Sequence, residues 1–473
     1  MPVHRNNIIP ASPFRTGVED ELDLEAICVF VALGFFLGDR TYYKGLREHL
    51  PASTTETDAD GRVLSSRSHF EWHYTPRDIP FRQAVDEFTE IFEAIIAEGV
   101  GKGYTIPISG GLDSRTLVAA CEHLRLPYQG YSYMFRNGID ETRYGRIMAK
   151  RLGFPFQAFT VEPGSLWGYI DRMAERNQCY SEFTHGRQYA CHSQLNALGG
   201  TFLLGHGGDL FFDGMGVDDR MGEDGLLAEI WRRLVKPSGL ALAESLWREW
   251  GLAGDCRTHL REQLAAAVQG IRIHEANPRL RAFKTMYYVA RWTCVNLSIF
   301  RDFGPNVIPY FDDRICRFIC TVPEQWLASR KIQIEYLKRR SPALASVVWQ
   351  DHRPYNLYTY PLDRAPLNYP YRAYRKLVRT ITRADTVRRN WENQFLGADN
   401  ARQLHHHLLG DDALRSLVPT QIIETTLRRF LEEDPVGQYN AMTMLVTLAS
   451  FRRLRKTPIT SMAVADEPEH SGS

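Results

Sequence analysis

Tyr104-Thr105-Ile106-Pro107-Ile108-Ser109-Gly110-Gly111-Leu112-Asp113-Ser114 is the stretch on which the reading of the fold turns. Tyr104 to Ile108 is a short, largely apolar run that reads as a strand. Gly110 and Gly111 break it, and Asp113 to Leu124 reads as a helix. The alternation continues outward. Strands are expected at 128–134, 156–161 and 201–204, with a helix at 140–152 closed by Gly153. On the other side Phe81, Val85, Phe88, Ile91, Phe92, Ile95 and Ile96 repeat at helical spacing after a linker marked by Pro76 and Pro80. Strands alternating with helices imply a parallel sheet with right-handed crossovers, so the expected fold class is α/β. After about residue 220 the pattern is mainly helical to Lys456.

The chemistry sits where strands end. Adjacent glycines let the backbone approach an anion and offer it N–H groups, and the start of a helix adds its positive dipole end. Ser109 and Ser114 add hydroxyl donors. Asp113 would repel a phosphate unless a cation bridges them, which points to Mg²⁺. The Walker loop is excluded, because its lysine is absent. A second cluster, Leu203-Leu204-Gly205-His206-Gly207-Gly208-Asp209-Leu210-Phe211-Phe212-Asp213-Gly214, brings another carboxylate to the same sheet edge. Open α/β sheets bind ligands at that edge. Asp113 and Asp209 together suit Mg²⁺ on a triphosphate. His206 is either a general base for an incoming amine or a hydrogen-bonded structural histidine.

Composition narrows the partners. The 473 residues carry 57 Lys plus Arg against 56 Asp plus Glu, so no global basic field points to nucleic acid. The apolar stretch from Ile27 to Leu37 is too short to cross a membrane, and no leader pattern opens the chain, so a cytoplasmic protein without a membrane partner is expected. The eight cysteines show no CxxC pair, and Cys316 and Cys320 read as buried thiols. His405, His406 and His407 point in different directions on a helix and read as a solvated face. Arg372, Arg375, Lys376, Arg379 and Arg383 read as a solvated basic helix face or a dock for an acidic partner.

The run from Ser109 to Ser114 resembles the SGGxDS pyrophosphatase loop (PP-loop) of enzymes that cleave ATP to AMP and pyrophosphate. Gly205, Gly207 and Asp209 are similar to the second motif of asparagine synthetases, SGEGxDExFGGY, with His206 in place of its glutamate and Leu210 in place of its second acid. Ile139 to Tyr144, Asn306 to Asp312 and Val322-Pro323-Glu324 resemble further segments of that family, in family order. β-Lactam synthetases and lasso-peptide cyclases are relatives of the same kind. The resemblance implies a PP-loop domain of the adenine nucleotide alpha-hydrolase type. Residues 80–220 would be its ATP-binding core and 221–460 a mainly helical part. Residues 1–79 would be an arm with a truncated glutaminase-like segment, and 461–473 a disordered tail. Ser109, Gly110, Gly111, Asp113, Ser114, Gly205 and Gly207 would hold ATP, while Asp113 and Asp209 would hold Mg²⁺.

The departures from the pattern are informative. Glutaminase-bearing members place a nucleophilic cysteine at position 2, where this chain has Pro2, so glutamine hydrolysis in cis is not expected. Free ammonia, a partner glutaminase or a substrate amine would then supply nitrogen. The family's catalytic lysine has no counterpart in Trp349-Gln350-Asp351-His352-Arg353-Pro354-Tyr355-Asn356, where His352 or Arg353 could replace it or form a plain surface loop. The resemblance implies an AMP-forming ligase that joins a small-molecule or peptide carboxylate to an amine or ammonia, in specialised biosynthesis. The alternatives are a tRNA-modifying branch of the superfamily, or a degenerate nucleotide-binding homologue that scaffolds a biosynthetic complex.

Overall fold

Five parallel strands form the central sheet of the computed structural model, which describes residues 14–15, 21–58, 63–371, 373–374 and 387–456. In chain order they are β1 (Tyr104–Pro107), β2 (Tyr128–Phe135), β3 (Phe156–Val161), β4 (Thr201–Leu203) and β5 (Asn306–Val307). Their order across the sheet is β3-β2-β1-β4-β5. The chain therefore leaves β1 in one direction towards β2 and β3, then returns to its other side as β4. The crevice between β1 and β4 is the switch point where such sheets bind ligands. The edge strand β5 comes from the stretch expected to be mainly helical. Two residues carry no periodicity, and only their pairing with Phe202 and Leu203 makes them a strand.

The helices follow their apolar faces. Phe81–Glu98 buries Val85, Phe88, Phe92, Ile95 and Ile96 on one side. Asp113–Leu124 spans the expected residues. The next helix begins at Thr142, two residues later than expected, because the Asp140 carboxylate accepts the Thr142 N–H at 3.0 Å and caps the turn. It ends at Gly153, whose φ of 82° suits glycine.

Residues 24–47 are built into the helical half. The helix Leu24–Leu33 is buried almost all round and packs on Pro237–Glu249, where the Cys28 thiol donates to the Ala243 carbonyl at 3.6 Å. Tyr42 stacks on Phe451 with ring centroids 3.7 Å apart. Burying an aromatic side chain of this kind contributes roughly 1.5–3 kcal/mol. The linker at 76–80 is strapped down, with Thr75 and Arg77 N–H groups donating to the Cys320 and Thr321 carbonyls, both at 2.9 Å.

Cys316 and Cys320 are buried free thiols. The histidine run is corrected in one position. His405 and His406 are exposed, but His407 is buried against Ser450 and Arg453, because its face of the helix meets the C-terminal helix. Burial and Arg453 push its imidazole down to a pKa of about 3. No helix among the described residues is long and apolar enough to cross a membrane. The charged positions of the basic run (372, 375, 376, 379 and 383) and the tail from 461 lie outside the described residues.

Candidate active site

A cavity of about 450 Å³ opens at the C-terminal ends of β1, β2 and β4. Ser109, Asp113 and Ser114 form one wall, with Gly205, His206, Gly207 and Asp209 beside them. Tyr133, Glu141 and Arg187 stand on a second side, and Lys284, Tyr288 and Trp292 on a third.

The first loop is held by its own serines. The Ser109 N–H donates to Ser114 Oγ at 3.0 Å, and the Gly111 N–H to Ser109 Oγ at 3.3 Å. One of the two glycine N–H groups expected to face an anion, that of Gly111, is thus engaged with a hydroxyl. The helix that follows starts with no side-chain cap, which leaves its N-terminal end available to an anion. Gly110 and Gly111 do not line the cavity. A Cβ on Gly110 would run into the side chains of Gln350 and Tyr144, so this glycine permits the 344–350 segment to lie against the loop. Arg115 fastens that segment, donating to the carbonyls of Gly110 at 3.2 Å, Val347 at 2.9 Å and Val348 at 3.0 Å.

The two glycine clusters meet backbone to backbone. A Cβ on Gly205 would lie 3.1 Å from the Asp113 carbonyl carbon and the Ser114 nitrogen. One on Gly208 would collide with the Asp113 carboxylate, and Gly207, at φ +96°, packs under the Phe311 ring. This contact brings Asp113 and Asp209 to one site. Asp113 is not a lone carboxylate: Oδ1 forms a close ion pair with Arg330 and accepts from Gln333 Nε2 at 3.1 Å. Burial raises its pKa to about 6, with Arg330 pulling down and Asp209 pushing up. Arg330 carries no motif signal. It follows Ser329, and both adopt φ near +60°, a conformation that costs non-glycine residues of order 1–2 kcal/mol. The Asp213 carboxylate holds the Ser329 N–H at 2.8 Å, and Gln333 Oε1 accepts from Arg330 Nε at 2.6 Å, which fixes the turn.

The donor set fits Mg²⁺. Two carboxylates with serine hydroxyls are hard oxygen ligands, and Mg²⁺ takes one or two protein carboxylates with substrate phosphates and water. Both protein bonds to Asp113 fall on Oδ1. No group of three His, Cys, Asp or Glu side chains suited to a metal occurs among the described residues, so transition-metal cages have no counterpart there.

His206 stands in the cavity with Nδ1 buried and unpartnered. Burial, reinforced by Arg187 and opposed by Asp209, lowers its pKa to about 4, so the imidazole is neutral at pH 7. His352 and Arg353 do not reach the cavity wall. Arg353 lies over the Tyr144 ring, 5.3 Å from its centroid, and donates to the Gln350 carbonyl at 3.2 Å. His352 pairs with Asp363 at 2.9 Å and packs on Trp349. Residues 349–356 thus keep both His352 and Arg353 out of the cavity wall.

The cations that do line it went unread in the sequence. Lys284 opens a π-helical segment, Lys284–Thr293, whose side chains Tyr288 and Trp292 also face the cavity. Burial lowers the Lys284 pKa, opposed by Asp209. Arg187 donates to the Tyr133 hydroxyl at 2.6 Å. Neither lies near a glycine cluster, and only a π-helical turn, often found at functional sites, could have drawn attention to Lys284.

Residues 103–452 match the asparagine synthase family. The chain belongs to the asparagine synthase family. None of the curated proteins matches it. Membership makes it, in general class, an asparagine synthase-like ATP-dependent ligase. The family binds ATP, typically with Mg²⁺, and uses carboxylate and amine or ammonia substrates. In this asparagine synthase-like chain the matched span includes all five strands and every cavity-lining residue named above.

Proposed function

We propose that the protein adenylates a substrate carboxylate with ATP and passes the acyl group to an amine or to ammonia, forming an amide in a specialised biosynthetic route. The observation that carries the reading is the convergence of Asp113 and Asp209 on one cavity at the switch point beside β1. Asp113 and Asp209 would hold Mg²⁺, which when bound neutralises and polarises the triphosphate.

The uncapped helix start at Asp113 and the Ser109 and Ser114 hydroxyls orient the phosphates. A substrate carboxylate oxygen attacks the α-phosphorus, and the bond to pyrophosphate breaks. The amine lone pair then attacks the acyl carbon. AMP leaves with the electron pair of the acyl–oxygen bond, and the nitrogen loses a proton. Lys284 places a positive charge beside the reacting groups, where it stabilises the oxyanion of the second step. Arg187 offers a guanidinium for an acid group. Neutral His206 holds an N–H or a lone pair towards the incoming amine.

One observation speaks for the alternative, a nucleotide-binding scaffold: the ion pair of Arg330 with Asp113, which a metal would have to share or displace. ATP–pyrophosphate isotope exchange with Mg²⁺ and a panel of carboxylates decides between them. Acid-dependent exchange, lost in Asp113→Ala, is the expected result. Exchange unchanged by that substitution would remove Asp113 from the core of the reading, and ATP binding without exchange for any acid would favour the scaffold.

A further inference from the structure

A second cavity, of about 190 Å³, shares Tyr288 and Trp292 with the larger one. The two rings stack with centroids 4.9 Å apart and an interplanar angle of 17°, so a wall of aromatic side chains divides the two spaces. The charges of Asp209, from the first cavity, and Glu182, from the second, both act on the Tyr288 hydroxyl, which places that residue between the two sites. The volume equals about six waters' share of the liquid, enough for a small organic molecule.

The lining of this second cavity is bipolar. Glu182 is buried, and Oε2 accepts the Thr184 N–H at 2.6 Å and its hydroxyl at 2.5 Å. Oε1 makes no hydrogen bond, although His185 Nε2 stands 3.1 Å away. A buried carboxylate oxygen without a donor is costly and calls for one. Lys236 lines the same cavity, and the charge of Glu182 acts on it. The His185 ring meets Trp292 edge-on at 4.5 Å, and with Tyr288 gives the aromatic surroundings that favour an organic cation. Val31, Leu33 and Met444 supply an apolar floor. Burial lowers the pKa of His185 and that of Lys236, with Glu182 opposing in both cases.

We propose that this cavity binds a small amino acid-like zwitterion, separate from the reacting centre, whose ammonium meets Glu182 and whose carboxylate meets Lys236. An ammonium alone would meet Glu182 and leave Lys236 unmet, and a carboxylate alone would meet Lys236 and leave Glu182 Oε1 unmet. One zwitterion answers both charges.

The experiment is equilibrium titration, by calorimetry and Trp fluorescence, of the full chain with glycine, L-alanine, β-alanine, L-serine, methylammonium and acetate, without nucleotide. At least one zwitterion is expected to bind, with methylammonium and acetate at least tenfold weaker. Glu182→Gln and Lys236→Met should each weaken that zwitterion at least tenfold, while Asp113→Asn leaves it unchanged. Glu182 also holds the turn at Thr184, so thermal melting is run in parallel, and Lys236→Met decides if Glu182→Gln fails to fold. No binding by any zwitterion, or binding untouched by Lys236→Met, overturns the proposal. Because no ATP is present, a failure here with intact ATP–pyrophosphate exchange removes only this subsite. Binding here without exchange removes only the ligase reading.

Discussion

The sides of the main cavity are built on different principles. The side proposed to hold the phosphates consists of two glycine-bearing loops at the ends of β1 and β4, where backbone packs on backbone and the side chains that matter lie within seven residues of a strand. The other sides consist of Arg187, held on Tyr133 of β2, and of Lys284, Tyr288 and Trp292 from the helical half of the chain. The first side leaves its chemistry in a contiguous motif. The others assemble charge from separate elements, and those sides would choose the acid and the amine.

Breaking the phosphate side should cost most. Asp113→Ala is expected to lower exchange by more than about 10³-fold while circular dichroism shows the fold retained, since such a group acts on charge that develops in the transition state. Lys284→Ala should come next. Amide formation is expected to fall about 10²–10³-fold, with pyrophosphate exchange much less affected, which separates the amine step from adenylation. Equal losses in both assays would place Lys284 with the phosphate machinery instead. Arg187→Ala should raise KM for the acid about tenfold or more, the worth of one charge-assisted hydrogen bond of roughly 1.5–3 kcal/mol.

The acid limb offers a finer test. Asp113 has its pKa raised to about 6 and must be ionised to hold a cation, so kcat/KM for exchange should fall as pH drops through about 6. Arg330 holds that pKa down, so Arg330→Gln should move the limb to higher pH. A limb that stays put would show that another group titrates. The smallest effect belongs to His206→Asn. A neutral imidazole with a pKa of about 4 contributes a hydrogen bond, which asparagine can replace, so kcat should stay within about tenfold. A loss near 10⁴-fold, with a changed pH profile, would make His206 the base.

What could be read in advance follows this division. The strand beginning at Tyr104, the helix from Asp113 and the αL stop at Gly153 are local matters, decided by apolar runs and glycine conformations. The mainly helical reading beyond 220 overlooked β5 because Asn306 and Val307 are a strand only by virtue of β4 beside them. Arg353 lies over the Tyr144 ring instead of lining the cavity, which no spacing rule could foretell.

The sequence by itself determined an α/β sheet with two glycine-rich loops and two carboxylates at its edge, because strand ends, glycines and helix starts are encoded within a few residues of one another. Only the tertiary structure decided what those carboxylates meet. The pairing of Asp113 with Arg330, 217 positions away, and the entry of Lys284 into the cavity come from side chains that packing, not sequence order, makes neighbours. A charge acts through distance in space, and the chain records only distance along itself.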